Sequence, residues 1–189
     1  MTIEEWEERY RTASRPVEDL QAAPSPLVVD TASNLAPGDA LDLACGTGRN
    51  SIWLAEHGWN VTAVDGAPAA IDVLKQRARE GGLQVQARVA DLEAGEFRIL
   101  PAAYDLVCKC YYLQRSLFPV LRESLRPGAI AIVIVHVVHR SEEITPTRAA
   151  PGELRSFFAG WDVLHYREGR PADPTHQRAV AEIVARKPA

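Results

Sequence analysis

The chain of 189 residues has no apolar run long enough to span a bilayer, since the longest, residues 129–138, is half of the roughly twenty residues required and already contains His136. No secretory leader is expected either. Met1-Thr2-Ile3-Glu4-Glu5-Trp6 is acidic where such a leader is basic, and no long apolar segment follows it. These absences predict a cytoplasmic protein without a membrane partner. Cysteine is scarce and odd in number, with three residues at Cys45, Cys108 and Cys110, which predicts free thiols in a reducing compartment and excludes a disulfide framework. A Cys-x-Cys pair by itself is no metal signal, so no metal is expected. Basic residues are outnumbered, 21 Lys and Arg against 25 Asp and Glu, and the net charge of −4 disfavours a broad phosphate-binding surface. No nucleic-acid partner is therefore expected. Internal repeats and low-complexity segments are missing too.

What is present is a composition of 47% hydrophobic and 24% charged residues, that of a single globular α/β domain with a substantial core. Ile3, Trp6 and Tyr10 share one face of a short N-terminal helix, and Pro16, Pro24 and Pro26 separate it from the body. Residues 1–36 read as a helical lid segment and residues 37–189 as the main domain. A second helix is expected after Ser25, with Pro26 in its first turn, ending near Pro37-Gly38. Strands at 40–44, 60–64, 84–89, 104–108 and 129–138 are then interleaved with helices at 49–57, 67–79 and 114–125. This alternation predicts right-handed crossovers and a parallel sheet covered on both faces. The unbroken apolar run Ile130-Ala131-Ile132-Val133-Ile134-Val135 places its strand in the middle of that sheet. A short helix is expected between Gly152-Glu153 and Gly160. The last two strands, 161–166 and 178–185, flank the turn-rich Gly169-Arg170-Pro171-Ala172-Asp173-Pro174 and can pair only as an antiparallel hairpin.

The segment that carries chemistry is Leu41-Asp42-Leu43-Ala44-Cys45-Gly46-Thr47-Gly48-Arg49-Asn50, with Asp65 nineteen positions after Gly46 at the end of the next strand. Residues without a Cβ let the backbone pass tightly under a ligand, and a carboxylate can accept two hydrogen bonds from a ribose diol. A nucleoside cofactor is the expectation. Each residue also has a plain structural reading: the glycines as an ordinary strand-to-helix turn, Asp65 as a cap before Gly66, Asp91 as a loop acid.

This motif, the alternating core and the closing hairpin resemble the class I S-adenosylmethionine-dependent methyltransferases over roughly residues 38–187. Gly48-Arg49-Asn50-Ser51, Tyr112-Leu113-Gln114-Arg115-Ser116-Leu117-Phe118-Pro119 and Ala185-Arg186-Lys187 are similar to a small-molecule branch that includes the tellurite-resistance methyltransferases. The resemblance implies a three-layer Rossmann-like fold with a mostly parallel seven-stranded sheet and a C-terminal antiparallel hairpin. It implies S-adenosyl-L-methionine as cofactor and a small-molecule methyl acceptor. On this reading Gly46 and Gly48 let the backbone approach the cofactor, with Asp42, Ala44, Cys45, Asn50 and Gly66 around the loop. Asp65 takes the ribose hydroxyls, Asp91 and the Leu92 backbone meet the adenine amino group, and carbonyls around Cys108 and Lys109 receive the methionyl ammonium. Lys109 itself reads as a solvated or sheet-end charge. Tyr10 closes the cofactor pocket from the N-terminal helix.

Methyl transfer from a sulfonium needs alignment, a dry pocket and sometimes a proton acceptor, so it leaves a faint mark on sequence. The substrate belongs beyond the carboxyl ends of the strands, which directs attention to Tyr111, Tyr112, His139 and Arg140, with His176 and Arg178 at the turn into the last strand. In the tellurite-resistance relatives a His followed by basic residues lines the active site, and His176 occupies that place although Gln177 follows it. Two other readings stay open. One is a nicotinamide-dependent oxidoreductase, against which Ser51 stands where the third fingerprint glycine is needed. The other is a cofactor-binding module without catalysis. An amino-directed nucleic-acid methyltransferase is disfavoured by Cys108-Lys109-Cys110-Tyr111, which lacks the Asn/Asp-Pro-Pro-Tyr pattern.

Overall fold

The computed structural model describes residues 2–12, 23–138 and 145–189. His139 and Arg140 lie outside the described residues. The chain divides into two compact units, Met1–Arg98 and Ile99–Ala189.

The first unit contains α1 (Ile3–Arg11), α2 (Pro26–Ala32), β1 (Asp39–Leu43), α3 (Arg49–Glu56), β2 (Asn60–Asp65), α4 (Pro68–Glu80) and β3 (Val85–Val89). Helix α1 opens with a capping box, Thr2 receiving the Glu5 N–H and Glu5 receiving the Thr2 N–H, so two otherwise orphaned donors are satisfied. Helix α2 stops at Ala32, earlier than the proline at 37 suggested. The cores of β1 and β2 are buried, with Leu41, Leu43, Val61, Ala63 and Val64 fully enclosed, and Ile71 and Leu74 of α4 are buried as well. β1 pairs parallel with β2, Leu43 beside Val64, and β2 pairs parallel with β3, Asp65 beside Val89. The register therefore brings the ends of all three strands, and the segments after residues 43, 65 and 89, to one edge of the sheet.

The second unit contains β4 (Tyr104–Cys110), α5 (Leu117–Ser124), β5 (Leu125–His136), α6 (Glu153–Ser156), β6 (Asp162–Gly169) and β7 (Val180–Arg186). β4 and β5 are parallel, whereas β7 is antiparallel to both β5 and β6. The hairpin forms as expected. Helix α5 begins only at Leu117, and β5 starts directly at Leu125, four residues before the apolar run. The extra length is absorbed by a register shift between Tyr104 and Leu106 and by Gly128, whose φ of 79° turns the chain after Pro127.

The strand order is β3-β2-β1-β4-β5-β7-β6, a seven-stranded, mostly parallel sheet with antiparallel C-terminal strands. β4, not the long apolar β5, takes the middle position. β5 is nevertheless buried along residues 129–135, because β4 pairs with one side of it and β7 with the other. No helix among the described residues is long and apolar enough to cross a membrane.

Candidate active site

In the first unit β1 runs into a turn where Ala44, Gly46 and Gly48 have φ of 55°, 54° and 79°. Ala44 carries a Cβ into the left-handed region, which costs about 1–2 kcal/mol and marks the turn as held by its surroundings. Part of that hold is the Cys45 N–H donating to the Val64 carbonyl at 3.1 Å, and part is the Gly48 N–H donating to the Cys45 carbonyl at 3.0 Å. The two glycines meet different demands. A Cβ at Gly46 would stand 2.9 Å from the Tyr10 hydroxyl, whereas one at Gly48 would stand 2.2 Å from Leu74 Cδ1. Gly48 is thus required by packing of the turn against α4, while Gly46 is required by the close approach of the Tyr10 hydroxyl.

Asp65 latches this turn. Its Oδ2 accepts the Gly46 N–H at 2.8 Å and its Oδ1 accepts the Ala67 N–H at 2.9 Å. Burial raises its pKa, against the lowering effect of the Ala67, Gly46 and Gly66 N–H groups. Each carboxylate oxygen keeps a further lone pair, so the latch does not exhaust the acceptor capacity of Asp65. Asp42, 1% exposed, accepts a 2.6 Å hydrogen bond from the Ser51 hydroxyl. Burial pushes its pKa from 3.8 to about 6, with the Asp65 charge adding to the rise. Ser51, which stands where a dinucleotide fingerprint has glycine, is therefore the partner that holds Asp42 under the turn. Asn50 is buried and accepts the Ser25 N–H at 2.8 Å, fastening the segment before α2. The Cys45 thiol is kept protonated, first by burial and then by Asp65 and Asp42.

Helix α1 is strapped across the start of α4. Ile3 fills the space a side chain at Gly66 would need, with its Cδ1 2.7 Å from that Cβ position. The Glu7 carboxylate accepts the Ala69 N–H at 2.8 Å, and Tyr10 stacks on Trp6 with its hydroxyl over Gly46. Glu7 escaped the sequence reading. The signal available for it was that α4 opens at Ala67-Pro68-Ala69 with no capping side chain of its own, so its orphan donors need an acceptor from elsewhere. Asp91 accepts the Glu93 and Ala94 N–H groups at 2.7 and 3.0 Å, and the buried Leu92 follows it.

The second unit gathers a separate cluster. Cys108 is buried within β4, and Tyr111 just beyond that strand has φ of 64°, a strained conformation for an aromatic residue, with its N–H bonded to the Ile134 carbonyl at 2.7 Å. The Tyr111 ring lies flat on His176, centroids 3.4 Å apart and planes 6° apart, and the His136 ring stands 5.6 Å from each of them. The Tyr111 hydroxyl donates to Asp173 Oδ2 at 3.2 Å. Asp173 is 3% exposed, and its other oxygen accepts both the N–H and the hydroxyl of Thr175. A cleft of about 590 Å³ is lined by Arg170, Asp173, His176 and Gln177 among others. Tyr111 and His176, expected at the site, are thus brought together. Tyr112 instead donates its phenol to Gln114 at 2.8 Å. His136 and Asp173 were missed, because the first sits in an apolar strand and the second in a turn where Asp is commonplace. Among the described residues no group of three or more His, Cys, Asp or Glu is arranged to hold a metal.

Lys109 corrects an expectation. It is not a solvated charge but 0% exposed, with its ammonium donating to the Tyr112 carbonyl at 2.9 Å and standing 4.2 Å from the Phe118 ring centroid. Burial drives its pKa from 10.5 down to about 7.

The strand order, with β7 turned antiparallel, and the latched glycine turn after β1 define a methyltransferase-type α/β fold. Residues 19–172 match the family model described as tellurite resistance protein TehB, and the chain belongs to that family. It is 30% identical over 153 residues to "Hemagglutinin 1" of Eikenella corrodens, covering 74% of this chain and 49% of that protein. It is 26% identical over 154 residues to the "Probable S-adenosyl-L-methionine-dependent methyltransferase TehB" of Haemophilus influenzae, covering 75% and 52%. The crystal structure of TehB from Haemophilus influenzae superposes with a TM-score of 0.77 at 24% identity, over 96% of this chain and 67% of that one, and shares the fold. The chain spans about half the length of the curated relatives it matches.

Proposed function

We propose that the chain is an S-adenosylmethionine-dependent methyltransferase that transfers the methyl group in line to a small-molecule acceptor. The observation that carries this reading is the Gly46 turn, latched by Asp65 and bordered by Tyr10, in a chain of the TehB family. A Cβ at residue 46 would stand 2.9 Å from the Tyr10 hydroxyl, so glycine is what lets Tyr10 close directly onto the bare backbone of the turn where the cofactor is assigned. Asp65 is assigned to the ribose hydroxyls, Asp91 with the Leu92 backbone to the adenine, and Tyr10 to closure over the cofactor. Asp42 and Ser51 hold the turn rigid beneath it. Bound there, S-adenosylmethionine would supply a methyl group made electrophilic by its sulfonium. The stacked Tyr111 and His176, with Asp173 behind, are assigned to the acceptor. Tellurite, named in the family's description, heads the acceptors to be tested, followed by thiols, phenols and carboxylates.

Thermal unfolding with S-adenosylhomocysteine and with NADH tests the cofactor. A ligand at 100 times its Kd stabilises by about 2.7 kcal/mol, a readily measured rise in Tm. S-adenosylhomocysteine should give that rise in the wild type and a much smaller one in Asp65→Ala. Stabilisation by NADH alone overturns the reading. Binding of S-adenosylhomocysteine without transfer of labelled methyl to any acceptor class leaves a cofactor-binding module in its place.

A further inference from the structure

We propose that His136 is the proton acceptor of the acceptor site, and that the chain accordingly methylates a protic nucleophile, a thiol or hydroxyl whose proton passes to His136 Nδ1. The inference rests on the methyltransferase reading and adds a residue and a substrate class to it.

Three observations carry it. First, β5 is an apolar strand with residues 129–135 buried, and its last residue is a histidine where packing alone calls for another aliphatic side chain. The parallel register of β4 and β5 sets Cys110 beside Ile134, so the chain leaving β4 places Tyr111 next to the end of β5. The antiparallel register of β5 and β7 sets His136 beside Val180, four residues after His176. The sheet thereby brings His136 within a 5.6 Å ring separation of both Tyr111 and His176. Second, His136 Nδ1 is shielded from water and has no hydrogen-bond partner among the described residues. A buried nitrogen left unsatisfied is destabilising, and such groups persist where a ligand completes them. Third, the neighbours keep the ring neutral. Burial lowers its pKa first and the positive charges of Arg178 and Arg148 lower it further, against a backbone hydrogen bond at Ala179. Among the described residues of the cluster, the carboxylate of Asp173 accepts from the Tyr111 hydroxyl and from Thr175. A neutral imidazole with an unshared lone pair beside two arginines accepts a proton from a neutral X–H group and leaves the nascent anion in a positive field.

The step balances without a further reactant. A lone pair on X forms the X–CH3 bond, the C–S bond of the sulfonium breaks with its electron pair on sulfur, and the X–H pair remains on X as the proton moves to Nδ1. Water removes that proton after product leaves. Tyr111, held by Asp173, and His176 set the face against which the acceptor lies.

Nitrogen-15 NMR of imidazole-labelled protein saturated with S-adenosylhomocysteine tests the contact without turnover. Addition of 2-mercaptoethanol, thiophenol or catechol should move the His136 Nδ1 resonance from the free lone-pair position towards the hydrogen-bonded one, and dimethyl sulfide should not. No movement with any of the three protic probes overturns the inference, whereas failure to bind S-adenosylhomocysteine overturns the methyltransferase reading instead. In turnover at pH 6.5, where 2-mercaptoethanol, a weaker acid than the cysteine thiol of pKa about 8.5, is protonated, His136→Gln should slow its methylation by about 100-fold or more. The same variant should leave transfer to ionised 4-nitrothiophenolate nearly unchanged. Equal losses on both acceptors, or a wild type that methylates tellurite and no protic acceptor, also overturn it.

Discussion

Replacing Lys109 with methionine should stabilise the protein at slightly acid pH and reverse that advantage in alkali. The ammonium is fully buried and has one carbonyl, that of Tyr112 at 2.9 Å, and two rings, Phe118 at 4.2 Å and Tyr112 at 5.8 Å, as compensation for the lost water. Replacing buried ions with apolar side chains of similar volume is commonly worth about 1–4 kcal/mol. Against this stands the Tyr112 carbonyl, whose loss of a donor costs about 1 kcal/mol. A net gain of about 2 kcal/mol at pH 6.5 follows. The pH dependence has a definite sign. The folded chain releases the Lys109 proton near pH 7, whereas the unfolded chain holds it to about 10.5, so the unfolded state binds more protons between those values. Wild-type stability therefore rises with pH in that window, by about 3 kcal/mol between pH 6.5 and 9.5 at ~1.4 kcal/mol per decade. Lys109→Met has no such group. Urea unfolding of both proteins at the two pH values measures the difference directly, and the two stability curves should cross between them. A stability difference that stays constant with pH to within about 0.5 kcal/mol would refute the assignment of a depressed, titrating lysine.

The glycine turn and its buried acid supply two further tests. Gly48→Ala should cost about 2–4 kcal/mol, because the new methyl would stand 2.2 Å from Leu74 Cδ1 at a φ of 79°. Trimming the obstacle in the Gly48→Ala, Leu74→Ala double variant should recover about 1–2 kcal/mol relative to the sum of the single effects, and strict additivity would show that the steric account is wrong. Asp42 holds its proton up to about pH 6 when folded but only to 3.8 when unfolded, so it draws stability down as pH rises through that interval. The decline attributable to it is about 3 kcal/mol, and Asp42→Asn should abolish it in thermal or urea unfolding between pH 4 and 7. An unchanged slope in the variant would place the effect on another group.

The parts of this fold that were legible in the sequence are those set by periodicity and by turn chemistry. The unbroken apolar run at 130–135 located β5 because a strand buried on both faces has no polar alternation, whereas β3, Val85-Gln86-Ala87-Arg88-Val89, alternates and is partly exposed and was located by its place between helical patterns. The closing hairpin followed from a Pro- and Gly-rich link too short for a crossover. Boundaries moved where tertiary pairing overrode local signals, as at Leu125, where strand pairing begins in a segment whose Pro127-Gly128 reads as a turn. In the glycine loop Gly46 and Gly48 look alike, yet one borders the Tyr10 hydroxyl and the other Leu74, a distinction made only by which helix each faces.

Cluster residues of the second unit were legible in proportion to their local context, and this explains the particular misses. Tyr111 and His176 follow or precede strands and stand out as polar or aromatic residues in loops. His136 ends an apolar run, and strand periodicity assigns such a position to the core. Its chemistry exists only because the β4–β5 register delivers Tyr111 and the β5–β7 register delivers His176 to the same strand end. Lys109 is the complementary case: read as a solvated end of a strand, it lies wholly inside, since β4 continues through Cys110 and the turn after it folds the Tyr112 carbonyl back over the ammonium. A polar residue near a strand end is thus read correctly only when the partner strands, and not the strand itself, are taken into account.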